Sequence, residues 1–102
     1  MSEKSPGQRR KSLTPDVEQA WREFSRTVFQ DGALDARTKQ LIAVAVAHVT
    51  QCPDCIRNHV RGAAREEATE EQIMEAIWVA AEMRAGGAVA HSRRAFEALD
   101  QD

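Results

Sequence analysis

The residues best suited to chemistry are Cys52, Cys55 and His59, in the run Thr50-Gln51-Cys52-Pro53-Asp54-Cys55-Ile56-Arg57-Asn58-His59. Pro53 has no backbone N–H to lose and fits the first position of a helix. That places Cys52 at the helix cap and Cys55 in the first turn. Both sulfurs then face unpaired N–H groups and the positive end of the helix dipole, which favours thiolate over thiol. Steps of three and then four residues put Cys52, Cys55 and His59 on one stripe of the helix. An imidazole one turn beyond Cys55 can take its proton or return one to a leaving oxygen. The expected chemistry is a dithiol/disulfide cycle: one thiolate attacks an O–O bond and becomes a sulfenic acid, and the other condenses with it. An external dithiol then reduces the disulfide by exchange.

Other uses of these residues compete. The cysteines could be inert core residues. They could also bind zinc with His59 and either His48 or His91, although structural zinc sites usually show a second tight ligand pair, and none is present. His59 alone could be a packed or surface histidine. The reading requires no metal and no bound cofactor.

The elements that must position the site read as helices. Residues 1–13 have the composition of a disordered, solvated N-terminal tail, with Arg9, Arg10 and Lys11 within it. A helical domain follows over 14–102. Thr14-Pro15-Asp16 starts a helix carrying Val17, Ala20, Trp21, Phe24, Val28 and Phe29, with Gly32 as its stop. Asp35 caps a second helix to about Val49, apolar on most sides and therefore expected to be buried. The cysteine helix runs to about Glu66. Thr69 and Gln72 form a capping box for a fourth helix whose apolar residues cover more than one face. Such a helix is expected to pack on a second subunit as well as its own core. Gly86-Gly87 is expected to break the chain before a short last helix ending near Leu99. The fold class is all-α, with about five helices.

The whole chain sets outer bounds. Its 102 residues are the size of one domain, with 29% charged residues and a net charge of -2. That balance gives no reason to expect a nucleic-acid partner. No apolar run suits a membrane span or signal peptide, so a cytoplasmic location is expected. A structural disulfide closing so short a loop would constrain the unfolded chain little, which favours a catalytic or metal-binding pair.

The sequence resembles the carboxymuconolactone decarboxylase superfamily, and within it the alkylhydroperoxidase D-like (AhpD-like) members. The resemblance rests on Leu34-Asp35 before Thr38-Lys39-Gln40-Leu41-Ile42-Ala43-Val44-Ala45-Val46-Ala47, then Gln51-Cys52-Pro53-Asp54-Cys55, His59, and Ala68-Thr69-Glu70-Glu71-Gln72-Ile73. It covers residues 34 to 90. It implies an all-α domain assembled as a homotrimer or homohexamer, with peroxidase or disulfide-reductase activity. It also implies that Cys55 attacks the peroxide, that Cys52 resolves it and exchanges with the reductant, and that His59 relays protons. The electrons would come from an external dithiol such as a lipoyl-bearing protein.

This chain departs from the family pattern at two positions. Redox members usually carry a glutamate twelve residues before the first cysteine, where Gln40 stands. A carboxamide can hydrogen-bond but is no carboxylate base. Glu82 and His48 are candidates to replace it, against the plainer readings of a solvated Glu71/Glu75/Glu82 stripe and a structural helix-end histidine. His91 reads as exposed. Asp54 stands where an aromatic or histidine is common, and an acid between two thiols opposes the helix dipole. Both departures suggest a slower peroxidase or a different oxidant. The competing functions are a lactone-acid decarboxylase, which needs no cysteine pair, and a non-enzymatic redox-sensing or zinc-held oligomer.

Overall fold

The computed structural model describes residues 3–101. They form six α-helices: α1 (Pro6–Leu13), α2 (Pro15–Val28), α3 (Ala36–Thr50), α4 (Pro53–Arg65), α5 (Glu70–Ala90) and α6 (Ser92–Asp100). The described residues contain no strand, so the all-α expectation holds. The chain groups into two compact units, Met1–Ala33 and Leu34–Asp102.

The first unit is a helix pair, α1 packed on α2. Residues 6–13, expected to lie in a tail, form α1, and residues 1 and 2 of that expectation lie outside the described residues. Ser5 and Gln8 form a reciprocal capping box, in which the Ser5 hydroxyl accepts the Gln8 N–H at 3.2 Å and Gln8 Oε1 accepts the Ser5 N–H at 2.8 Å. Pro6 occupies the first turn. Local capping starts this helix without any apolar periodicity. The buried Glu18 lies between Arg10 at 3.4 Å and Arg22 at 3.3 Å, which ties α2 to α1. Thr14 does precede α2, but its hydroxyl donates to the Arg10 carbonyl at 3.0 Å instead of capping α2. The contacts divide the chain after Ala33, between α2 and α3.

In the second unit α3 packs against both α4 and α5. Asp35 caps α3 as expected, its Oδ1 accepting the Thr38 N–H at 2.7 Å. The centre is built from small residues: Val44 and Ala47 of α3, Gly62 and Ala63 of α4, and Ala80 of α5 are buried. Small side chains let the three helix backbones approach closely. α3 is not buried all round, because Ile42, Val46 and Val49 are exposed.

The Thr69–Gln72 capping box opens α5, with both reciprocal hydrogen bonds formed at 2.9 and 3.1 Å. The expected break at Gly86-Gly87 does not occur, and α5 continues to Ala90. A glycine inside a helix costs about 1 kcal/mol relative to alanine. The neighbouring Ala85, Ala88 and Ala90 are the strongest helix formers and carry the helix through. Two arginines reach helix ends from elsewhere in this unit. Arg37 donates to the Glu66 carbonyl and Arg84 to the Val49 carbonyl, each at 2.8 Å. Among the described residues no helix is long and apolar enough to cross a membrane.

Candidate active site

The site is built at the turn between α3 and α4. Gln51 closes α3 in the left-handed conformation, with φ 58°. The Cys52 N–H donates back to the Ala47 carbonyl at 3.1 Å. This reversal brings Cys52 to the cap of α4, with Pro53 in the first turn behind it. Cys52 Sγ accepts the Cys55 N–H at 3.3 Å, so a sulfur takes the place of the usual capping oxygen. Cys52 and Cys55 are joined as a disulfide with their Cα atoms 5.2 Å apart. Both residues are half-buried, while Asp54 between them is exposed.

His59 lies one turn beyond Cys55 on α4 and is half-buried. Its Nδ1 lies 2.9 Å from Gln40 Oε1 of α3. A carboxamide oxygen only accepts, so this pairing forms a hydrogen bond when the proton is on Nδ1, which leaves Nε2 as the basic nitrogen. Burial of the ring holds the imidazole below its ordinary value of 6.5. His59 is therefore tuned toward the neutral form, which can take up a proton.

The sequence brought Cys52, Cys55 and His59 to one helix, and the structure places them there. It also places Gln40 against His59, in the position where a departure from the family pattern had been noted. None of the suggested substitutes takes that position. His48 and His91 direct their Nδ1 atoms to carbonyls one turn back, those of Val44 and Gly87, each at 2.7 Å, and Glu82 is exposed. Among the described residues, no group of three His, Cys, Asp or Glu side chains converges as a metal site.

Sequence reasoning missed Gly62. A Cβ built there would lie 2.6 Å from Gln40 Oε1, 2.7 Å from its Cδ and 3.0 Å from its Nε2. A glycine in the middle of a helix was the available signal, since its cost asks for a reason such as close approach.

The sequence profile of the carboxymuconolactone decarboxylase family matches residues 15–98. The chain belongs to this family. The match begins at the first residue of α2, so α1 lies outside it. Uncharacterized protein 4 of the cox locus in Paracoccus denitrificans is 68% identical over 85 residues, covering 83% of this chain and 77% of that protein. A crystal structure from Methanobacterium thermoautotrophicum superposes with a TM-score of 0.77 at 34% identity, covering 83% of this chain and 96% of that one. A family protein from Thermotoga maritima, described with a suggested part in an antioxidative response, superposes with a TM-score of 0.64 at 31% identity. It covers 82% of this chain and 86% of that one. The fold is thus that of the carboxymuconolactone decarboxylase family, in keeping with an AhpD-like member.

Proposed function

We propose that this family member is a thiol-dependent peroxidase working through Cys52, Cys55 and His59. The observation that carries the reading is the Cys52–Cys55 pair at the start of α4, with the Cys52 sulfur already accepting a helix N–H. The part suggested for the Thermotoga maritima relative in an antioxidative response supports it.

In the proposed cycle His59 Nε2 takes the Cys55 proton. The Cys55 thiolate attacks one oxygen of a hydroperoxide and the O–O bond breaks. Cys55 becomes a sulfenic acid, and the leaving alkoxide takes the proton from the imidazolium and departs as an alcohol. Cys52, whose thiolate is favoured by the Cys55 N–H, attacks the sulfenic sulfur. The S–S bond forms and hydroxide leaves, taking a proton to become water. The peroxide gains two electrons and the dithiol loses two. An external dithiol, such as that of a lipoyl-bearing protein, restores both thiols by exchange and becomes a disulfide itself.

The working unit is proposed to be a homotrimer or homohexamer. An open apolar depression of about 410 Å³ is lined by Val46, Val49, Val79 and Met83, among others, with Ile42 and Trp78 exposed on the same two helices. Apolar surface of this kind marks an interaction site.

The test is stopped-flow oxidation of the reduced protein by an organic hydroperoxide, with mass spectrometry of the products. Rapid, stoichiometric Cys52–Cys55 disulfide is expected, and Cys55→Ser should abolish it. Oxidation no faster than that of a free small thiol would sink the peroxidase reading. A lactone-acid decarboxylation surviving Cys55→Ser would replace it with the lyase reading.

A further inference from the structure

Gly62 has no chemistry of its own, yet it shapes the site. It sits on α4 three residues beyond His59, so both lie on the same side of the helix. It is buried, and the three atoms nearest to its missing Cβ all belong to the Gln40 carboxamide. The same carboxamide oxygen lies 2.9 Å from His59 Nδ1. Three residues from two helices thus form one unit: Gly62 leaves a gap, Gln40 fills it, and Gln40 holds the ring.

We propose that Gly62 is a positioning residue for His59: its lack of a side chain lets the Gln40 carboxamide lie against α4 and fix the ring in the Nδ1–H form, with Nε2 as the base. A methyl group at position 62 would meet Oε1 at 2.6 Å, well inside ordinary contact, which begins near 3.4 Å. Relief requires Gln40 to retreat by roughly 0.8 Å or rotate away. Gln40 has three flexible torsions and can move without shifting a backbone. Alanine at 62 therefore evicts the carboxamide rather than breaking the helix, and alanine is the better helix former. Without this acceptor the ring loses one contact that favours Nδ1–H, and it moves toward the Nε2–H form that histidine favours in water. In the Nε2–H form Nε2 already carries a proton and is no longer the base.

The inference depends on the peroxidase reading only for its kinetic arm. The experiment compares the full chain with Gly62→Ala, Gln40→Ala and the Gly62→Ala/Gln40→Ala double variant. Nitrogen NMR of the imidazole reads the tautomer directly in the reduced protein, and stopped-flow oxidation reads the rate. The wild type is expected to show Nδ1–H. Both single variants should move toward Nε2–H and lose on the order of tenfold in oxidation rate, within the range that general-base assistance contributes. The double variant should be no worse than Gln40→Ala, because with the carboxamide gone the methyl has nothing left to displace.

A folded Gly62→Ala that keeps the wild-type tautomer overturns the proposal. So does a double variant that fails to fold or is slower than both singles, because Gly62 would then serve packing against something other than Gln40. If Gly62→Ala alone fails to fold and the double variant folds, the clash is with Gln40, as proposed. Tautomer shifts in a protein whose wild type shows no peroxide reactivity would uphold the positioning role and remove the peroxidase reading.

Discussion

Replacing Gln40 by glutamate tests the electrostatics of the site with a change of one group. In the wild type the partner of His59 is neutral, and burial alone sets the direction of the imidazole's shift, downward. A carboxylate at the same 2.9 Å separation adds a full negative charge about 4 Å from the centre of the imidazolium charge. At that distance two unit charges attract by about 4 kcal/mol at an effective dielectric of 20 and about 1 kcal/mol in bulk water. A half-buried ring lies between these limits. With 1.36 kcal/mol per pH unit, Gln40→Glu is expected to move the His59 midpoint upward by about one to three pH units. The assay is an NMR titration of the His59 ring protons in the reduced protein, paired with the pH dependence of thiol oxidation. The midpoint should rise, and the limb of the rate profile that reports the base should move to higher pH with it. An unchanged or lower midpoint would refute the placement of residue 40 against His59. A raised midpoint with an unmoved rate profile would remove His59 from the proton path.

Two further outcomes follow from other parts of the molecule. Stability should fall on acidification in two stages. His59 lies below its ordinary 6.5, so its contribution is full above that pH and is lost as pH drops through the folded value; Asp35, held below 3.8 chiefly by the Thr38 N–H, keeps its contribution above 3.8 and loses it as pH falls further. Urea denaturation across pH 7.5 to 3 measures this, and a first stage that persists in His59→Ala would contradict the assignment. For the proposed assembly, Trp78→Arg on the exposed face of α5 should weaken subunit association by about 2 kcal/mol, close to thirtyfold in Kd, as measured by sedimentation. Unchanged assembly would place the interface elsewhere.

What the sequence made legible was local. Asp35 before Thr38, Thr69 before Gln72, and Cys52-Pro53 each announce a helix start by chemistry spanning three residues, and each is found as read. Two of the local readings that failed have a plain physical reason. The first segment lacks any apolar pattern, yet the Ser5–Gln8 box and Pro6 suffice to start α1. The Gly86-Gly87 pair signals a break, but one helix runs through it among alanines. The part of the site that was hidden is the part that crosses between helices. Gln40 and His59 are 19 residues apart in sequence. Helical periodicity gives the face a residue occupies, not which residue of a neighbouring helix it meets. Gln40 was therefore visible as a substitution, but its contact with His59 and its dependence on Gly62 were not.

The arginine that reaches the end of α3 has a mechanical consequence. Arg84 of α5 holds the Val49 carbonyl, two residues before the left-handed Gln51 and three before Cys52. The turn that carries Cys52 is thus tied to a neighbouring helix by a hydrogen bond. In the proposed cycle the disulfide opens and closes by side-chain rotation against a stationary frame. In that proposed cycle an external dithiol would do the travelling, on an arm slender enough to reach two half-buried sulfurs.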